Sequence, residues 1–429
     1  MKVMFMVSSL PIRKIGGTEI ITLRICDHLS RIGNHEIFLY TIARSPEEKK
    51  GDTLKQCFNE NNIQSFSYDN ILFSPRENSK GFLSYTRAVR SYANHLEKTI
   101  KRVKPDCIVA MKVQPPDIFA MSLPKISSRT GVPFLFMVRG FTDLENAPIT
   151  EDYDSSIGYV EHAKNYFFYR WILPKYIAGA QSVIAQTTAQ ADFIFNHFNH
   201  TAEILQNPID VSSIGDQKKS VDTPKKIMKE IQLRSEDHFR LVYVGSMIPR
   251  KNIPTLLNAL KILVSRSDLE TSEEQKKGFV LYLIGGGRGE AEAREMVQAL
   301  GLHDHVVFKG KLPPVDLWDI IRTFDVFVFA SKSEGFPNAV LEAMACGLPV
   351  ISSDFKGVKD IIVDEQIGLI FKRNDPQELA DRILELRDDP DTRKRMGEYN
   401  RTFVQRFSWD SFILKFDKIL TETVNISKK

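Results

Sequence analysis

Cysteine is scarce in this chain, with only Cys26, Cys57, Cys107 and Cys346 in 429 residues. None forms a Cys-x-x-Cys pair or lies at metal-ligand spacing from a histidine. That excludes a zinc ribbon and a dithiol redox motif, and it reads as a reduced, intracellular chain with core thiols. No apolar run approaches the roughly 20 residues needed to cross a bilayer. The first ten residues lack the charged head and small-residue cleavage site of a secretory leader, so a cytoplasmic location is expected. The sequons at Asn199–Thr201 and Asn425–Ser427 carry no weight in that setting. An excess of one charge sign is also missing: 58 basic against 54 acidic residues leave +4, which argues against a general nucleic-acid binder. Local basic patches for phosphates or an anionic membrane face remain compatible with that balance.

The chain is longer than the roughly 250–300 residues at which one core stops growing, so two domains are expected. Its 42% apolar and 26% charged residues are those of an ordinary globular protein. Short apolar runs recur at Val3–Val7, Glu36–Tyr40, Cys107–Ala110, Pro133–Val138 and Ser182–Ala185. Segments of helical period lie between them, among them Glu19–Ile32, Phe82–Val103 and Ile157–Ala178. A polar, lysine-rich stretch at Lys218–Ser235 reads as a linker. The alternation then restarts, with strands expected at Arg240–Val244, Phe279–Ile284, His305–Phe308, Val326–Phe329, Pro349–Ser352 and Leu369–Phe371. Runs this short suggest strands buried on both faces in parallel sheets covered by helices. Each half therefore reads as a doubly wound, Rossmann-like α/β sheet, which binds ligands beyond the carboxyl ends of its strands. The tail Ser408–Thr423 has helical period.

Three loops are candidates for holding a phosphate. Gly16-Gly17-Thr18-Glu19 joins the first strand to a helix and is either an anion-binding helix start or a connecting turn capped by Thr18. Gly245-Ser246-Met247-Ile248-Pro249-Arg250-Lys251 follows the first strand of the second half. A dinucleotide fold would carry Gly-x-Gly-x-x-Gly there. This loop has one glycine, and Arg250 and Lys251 offer fixed positive charge instead, although surface lysines are common. Gly285-Gly286-Gly287-Arg288-Gly289 is half a nucleotide fingerprint or a flexible turn.

The strongest constellation runs from Glu334 through Gly335-Phe336-Pro337-Asn338 to Glu342 and on to Gly347-Leu348-Pro349. Pro337 is expected at the first position of a helix, where its missing N–H costs nothing. The peptide N–H groups near Phe336–Asn338 would then face a diphosphate. Two carboxylates on either side of such a helix start could clamp a hexose and a ribose. The plainer alternative is a capped helix with two solvated glutamates.

The Glu334-x7-Glu342 spacing, the Gly335–Asn338 segment and the Glu-Ala-Met-Ala-Cys-Gly-Leu-Pro-Val ending resemble glycosyltransferase family four, retaining enzymes of the GT-B fold. Gly16–Glu19, Asn207-Pro208-Ile209-Asp210, the Gly245–Lys251 loop and Leu283–Gly287 extend the likeness along nearly the whole chain. The resemblance implies two Rossmann-like domains facing a central cleft. Residues 1–210 would bind the acceptor, with a helix from about 408 to 429 packed back on them, and residues 211–407 would bind the nucleotide sugar. By the same likeness Glu334 would contact the donor sugar, Glu342 the ribose hydroxyls and Lys251 the pyrophosphate, with the Gly17 backbone beside phosphate and sugar. Two positions depart from the family pattern: Ser246 stands where an arginine is usual, and Arg139-Gly140 where many members have a histidine. Arg250 would supply the missing charge, and Arg139 would meet the phosphate or the acceptor.

A nucleotide-sugar donor and a glycan or lipid-linked acceptor are the expected partners, in cell-surface polysaccharide or glycoconjugate synthesis, with no nucleic acid. No cofactor or metal is expected, because Lys251, Arg250 and the helix start supply the positive potential. The Asp-x-Asp patterns at Asp152–Asp154 and Asp389–Asp391 read as solvated surface. The loops Ile71–Gly81 and Arg139–Glu161 are expected to choose the acceptor. The basic end of the Arg87–Lys104 segment reads either as a solvated face or as a peripheral contact with anionic lipid. A sugar-nucleotide epimerase or phosphorylase of the same architecture, or a non-catalytic nucleotide-sugar-binding subunit, are the competing functions.

Overall fold

The computed structural model describes residues 1–7, 17–42, 51–60, 63–74, 82–111, 118–138, 168–215, 238–267, 278–312 and 314–427. The chain divides into two compact units. One comprises Met1–Gln206 with Asp410–Lys429, the other Asn207–Trp409.

The first unit is built on seven strands: β1 (Lys2–Met6), β2 (Glu36–Ile42), β3 (Ile71–Ser74), β4 (Cys107–Met111), β5 (Phe134–Met137), β6 (Ser182–Ala185) and β7 (Glu203–Ile204). They lie in the order β3-β2-β1-β4-β5-β6-β7, and every ladder is parallel. Val3, Met4 and Phe5 of β1 are all fully buried, as a central strand covered on both faces requires. The helix Gly17–Arg31 is tied down by Asp27, a buried carboxylate. It accepts the Gln64 and Phe66 N–H groups at 2.8 and 3.1 Å and also the Ser65 N–H, while Arg31 approaches its other oxygen at 2.7 Å. The helix Trp409–Ile426 contributes Asp410 onward to this unit. Its buried face, Phe412, Ile413, Phe416, Ile419, Leu420 and Val424, follows helical period. Phe416 meets Phe5 with ring centroids 6.1 Å apart, and Asp417 meets His35 at 2.5 Å.

The second unit carries β8 (His238–Val244), β9 (Gly278–Ile284), β10 (Val306–Gly310), β11 (Val326–Phe329), β12 (Val350–Ser353) and β13 (Gly368–Phe371). Their order is β10-β9-β8-β11-β12-β13, again all parallel. Both sheets thus have the doubly wound order, in which the first strand of the unit sits centrally and the sequence reverses beside it. In the second unit that reversal lies between β8 and β11. The expectation of two Rossmann-like α/β sheets holds.

Two local expectations differ from the structure. Ile71–Ser74, expected in a loop, is an edge strand, and residues 75–81 lie outside the described residues. The single helix expected over Ile157–Ala178 is instead a π-helical turn at Phe168–Ile172 running into a helix at Leu173–Gly179, where Pro174 fits the first turn. Residues 157–167 lie outside the described residues. Asp389 is exposed but is also a helix cap, accepting the Thr392 N–H at 2.9 Å. The expected linker at 218–235 and the Asp152–Asp154 pair fall outside the described residues.

Candidate active site

The carboxyl ends of β8 and β11 bring two loops of the second unit together at its switch point. After β8 the chain passes Gly245 and Met247 into a single 3-10 turn, Pro249–Lys251. The turn ends on Asn252, whose φ of 55° places it in the left-handed region that asparagine tolerates. After β11 come Ser331, Lys332, Ser333 and Glu334, and then the helix Asn338–Ala345. The loops are stitched by backbone, since the Lys332 N–H donates to the Arg250 carbonyl at 2.9 Å.

Glu334 is the centre of this meeting and is 6% exposed. Arg250 Nη1 donates to its Oε2 at 3.0 Å and to the Ser333 carbonyl at 2.6 Å. Lys251 Nζ donates to Oε1 at 2.5 Å. Ser331 Oγ donates to the same Oε1 at 2.6 Å. Lys251 also lies 5.0 Å from the Phe329 ring centroid, so both the carboxylate and the ring face hold its ammonium. Burial pushes the Lys251 amine down from its ordinary value, and the Glu334 charge opposes that shift. The family likeness implies that Glu334 and Lys251 serve different parts of one ligand. In the structure they are partners.

Glu342 sits on the same helix in a different environment. Its carboxyl is partly exposed yet densely surrounded, and desolvation pushes it up to about 7. No ion pair or side-chain hydrogen bond satisfies it among the described residues. A carboxylate in that state gains from a ligand that brings two hydroxyl donors. The alternative of two solvated glutamates does not hold.

Pro337 is the cap of the helix and not its first residue, with φ −85° and ψ 84°. This one-residue shift changes which amides face outward. Asn338 donates its N–H to the Phe336 carbonyl at 3.1 Å, and Val340 donates to the Pro337 carbonyl at 3.0 Å. The Phe336 and Ala339 N–H groups meet no backbone acceptor among the described residues. The Asn338 side chain accepts from Asn207 Nδ2 at 3.2 Å. Phe336 is buried, its ring 6.0 Å from Phe407. Gly335 is partly buried in the loop between Glu334 and Phe336.

The glycine-rich loop after β9 has a packing reason to be glycine. A Cβ on Gly285 would run into the Gly245 carbonyl oxygen, and one on Gly287 into the Met247 carbonyl. The Met247 N–H donates to the Gly286 carbonyl at 3.1 Å and the Gly289 N–H to the Met247 carbonyl at 2.8 Å. The loops after β8 and β9 are thus backbone against backbone, which neither a flexible turn nor a phosphate cradle would require. Ser246 is exposed, and its carbonyl accepts the Tyr243 hydroxyl at 3.0 Å. Gly17 opens the helix Gly17–Arg31 of the first unit, while Gly16 and Arg139 lie outside the described residues. Asn207, from the Asn207–Asp210 segment of the family likeness, reaches the helix start, while Ser331 and Phe329 join the site without having been singled out, since an isolated serine or phenylalanine carries no spacing signal.

Residues 224–403 match the family described as glycosyl transferases group 1. An uncharacterized glycosyltransferase, MJ1178, of Methanocaldococcus jannaschii is 29% identical over 196 residues, 46% of this chain and 52% of that protein. A D-inositol 3-phosphate glycosyltransferase of Kribbella flavida is 32% identical over 181 residues, 41% of each chain. The matches span about half the length of these curated relatives. Among solved structures, a glycosyltransferase from Rickettsia africae superposes with a TM-score of 0.73 at 16% identity, covering 99% of this chain and 98% of the other. Alr3699/HepE of Anabaena in complex with UDP gives 0.70 at 17% identity, covering 98% and 100%. The second unit therefore contains a glycosyl transferases group 1 domain, in a chain with the fold of solved GT-B glycosyltransferases.

Proposed function

We propose that the protein is a retaining glycosyltransferase that moves a sugar from a nucleotide-diphosphate sugar to a glycan or lipid-linked acceptor. One observation carries this reading: two cations, a buried carboxylate and a helix start converge at the switch point of a doubly wound sheet. In the structure Glu334 holds the cations. A diphosphate would take Arg250 and Lys251 as partners and leave Glu334 to accept a hydroxyl of the transferred sugar. Glu342 would accept the ribose hydroxyls, and the Phe336 and Ala339 amides would face the phosphates. No metal is needed for that charge balance. Alr3699/HepE was solved with UDP and with UDP-glucose, which supports a nucleotide sugar as the donor class.

Retention is the stereochemistry that the candidate residues favour. An inverting route needs a general base on the acceptor side, and the position where many relatives carry a histidine is Arg139. A double displacement needs a carboxylate nucleophile at the anomeric carbon, whereas the place of Glu334, just before the helix start, suits contact with a sugar hydroxyl. The remaining route is front-face attack. The acceptor oxygen bonds to the anomeric carbon, the bond to the leaving diphosphate breaks, and the acceptor's proton passes to the departing oxygen. Lys251 and Arg250 would stabilise the charge on that oxygen. The exposed Lys98, Arg102 and Lys104 at the end of the helix Phe82–Val103 suit peripheral contact with anionic lipid.

Purified protein screened against a panel of nucleotide sugars should release nucleoside diphosphate from one of them. Proton NMR of the product from an α-linked donor should show an α linkage, and a β-linked product would end the retaining assignment.

A further inference from the structure

Ser331 is fully buried, and its hydroxyl faces three acceptors: the Glu334 carboxylate at 2.6 Å and the Arg250 and Ser333 carbonyls at 3.2 Å each. A hydroxyl has one proton to give. The shortest and charge-assisted contact takes it, so Ser331 donates to Glu334 Oε1. Its own carbonyl is fixed in turn by the Ser353 hydroxyl at 2.6 Å, from the end of β12. We propose that Ser331 is the positioning residue for Glu334, the one partner that stays on this carboxylate when a diphosphate draws Arg250 and Lys251 away. This rests on the donor site proposed above and deepens it.

The inference follows from the count of donors. In the structure Oε1 receives Lys251 and Ser331, and Oε2 receives Arg250. Once both cations turn to phosphate oxygens, a carboxylate 6% exposed would keep, among the described residues, no donor but Ser331. Without it, Glu334 would face the sugar in whichever rotamer the cations last left it. Ser331 is itself sealed from solvent, so no water takes the place of a deleted hydroxyl. With Oε1 anchored by Ser331, Oε2 is the oxygen presented to the sugar.

The test compares Ser331→Ala, Ser331→Thr and Glu334→Gln with the wild type, in the intact protein with its nucleotide sugar. Ser331→Ala should lower kcat roughly ten- to a hundredfold, with the donor KM and the affinity for nucleoside diphosphate within about twofold. Ser331→Thr, which keeps the hydroxyl, should restore kcat to within about threefold of the wild type. A merely structural serine would weaken diphosphate binding along with turnover. That pattern, or a Ser331→Ala kcat within twofold of wild type while Glu334→Gln is impaired, overturns the role of Ser331 alone. An unimpaired Glu334→Gln removes the donor-sugar role of Glu334 and this inference with it. So does a wild type that consumes no nucleotide sugar. Should Ser331→Ala not fold, Ser331→Cys, of similar volume but a weak donor, carries the same comparison.

Discussion

Glu342 pays a desolvation cost that no partner among the described residues offsets, and its carboxyl is pushed up to about 7. A raised value favours the protonated form in the folded protein. The group's contribution to stability is therefore present in acid and is lost as pH rises through about 7. Ligand affinity runs the opposite way, because two ribose hydroxyls bind best to the ionised form. Between pH 8 and pH 6 the dissociation constant of the nucleotide sugar should rise roughly tenfold, with a proton released on binding, and Glu342→Gln should flatten the profile. Calorimetry in buffers of different ionisation enthalpy measures both. Lys251→Ala should cost about 3 kcal/mol of transition-state stabilisation by kcat/KM, the order of losing an oxyanion donor. Turnover should survive EDTA, and loss on chelation with rescue by magnesium would show that the cations do not suffice. Glu334, Glu342 and Lys251 were legible because charged residues beside a strand end and a Gly-Phe-Pro turn are unusual. That Glu334 would bond both cations was not, since 83 and 84 residues separate the partners and only the sheet order brings them together.

At the scale of elements, the helix Asn338–Ala345 depends on how it stops as much as on how it starts. Gly347, with φ 79°, terminates it in the left-handed conformation, and the Leu348 N–H closes back on the Ala343 carbonyl at 3.1 Å. The helix Pro390–Phe403 crosses at this point, and Gly397 lies against the Gly347 carbonyl so closely that a Cβ would collide with it. Gly397→Ala should therefore destabilise the second unit by about 1–3 kcal/mol, although alanine is the better helix former, and denaturant unfolding reads the difference. An alanine variant as stable as the wild type would mean that this packing is loose. Strands of four or more apolar residues, such as Val326–Phe329, were legible within a residue or two. β3 was not, because Ile71–Ser74 is short and follows a 3-10 turn at Tyr68–Asn70. Nor was β7, two exposed residues recruited to the edge by pairing alone. Pro337 was misplaced by one residue, because a proline fits both a cap and a first turn, and the neighbouring hydrogen bonds decide.

At the scale of the whole molecule, the first unit takes its residues from both sides of the second. Phe416 shows how much the later segment matters, being fully buried with its ring tilted against Phe5 of the central strand. Phe416→Ala should cost about 3–5 kcal/mol. Because two units can unfold separately, the loss should appear as a shift of the first unit's transition alone, followed by near-ultraviolet circular dichroism during urea titration. Equal shifts of both transitions would mean that the units unfold as one. The same connectivity governs synthesis. Residues 1–206 leave the ribosome with Phe5 of β1 lacking the cover of Phe416, which follows only after all of Asn207–Trp409. At roughly 5–20 residues per second, the nascent first unit waits some tens of seconds for its last helix. The second unit, uninterrupted in sequence, is fully synthesised before that helix is, so it can reach its final form before the first unit does.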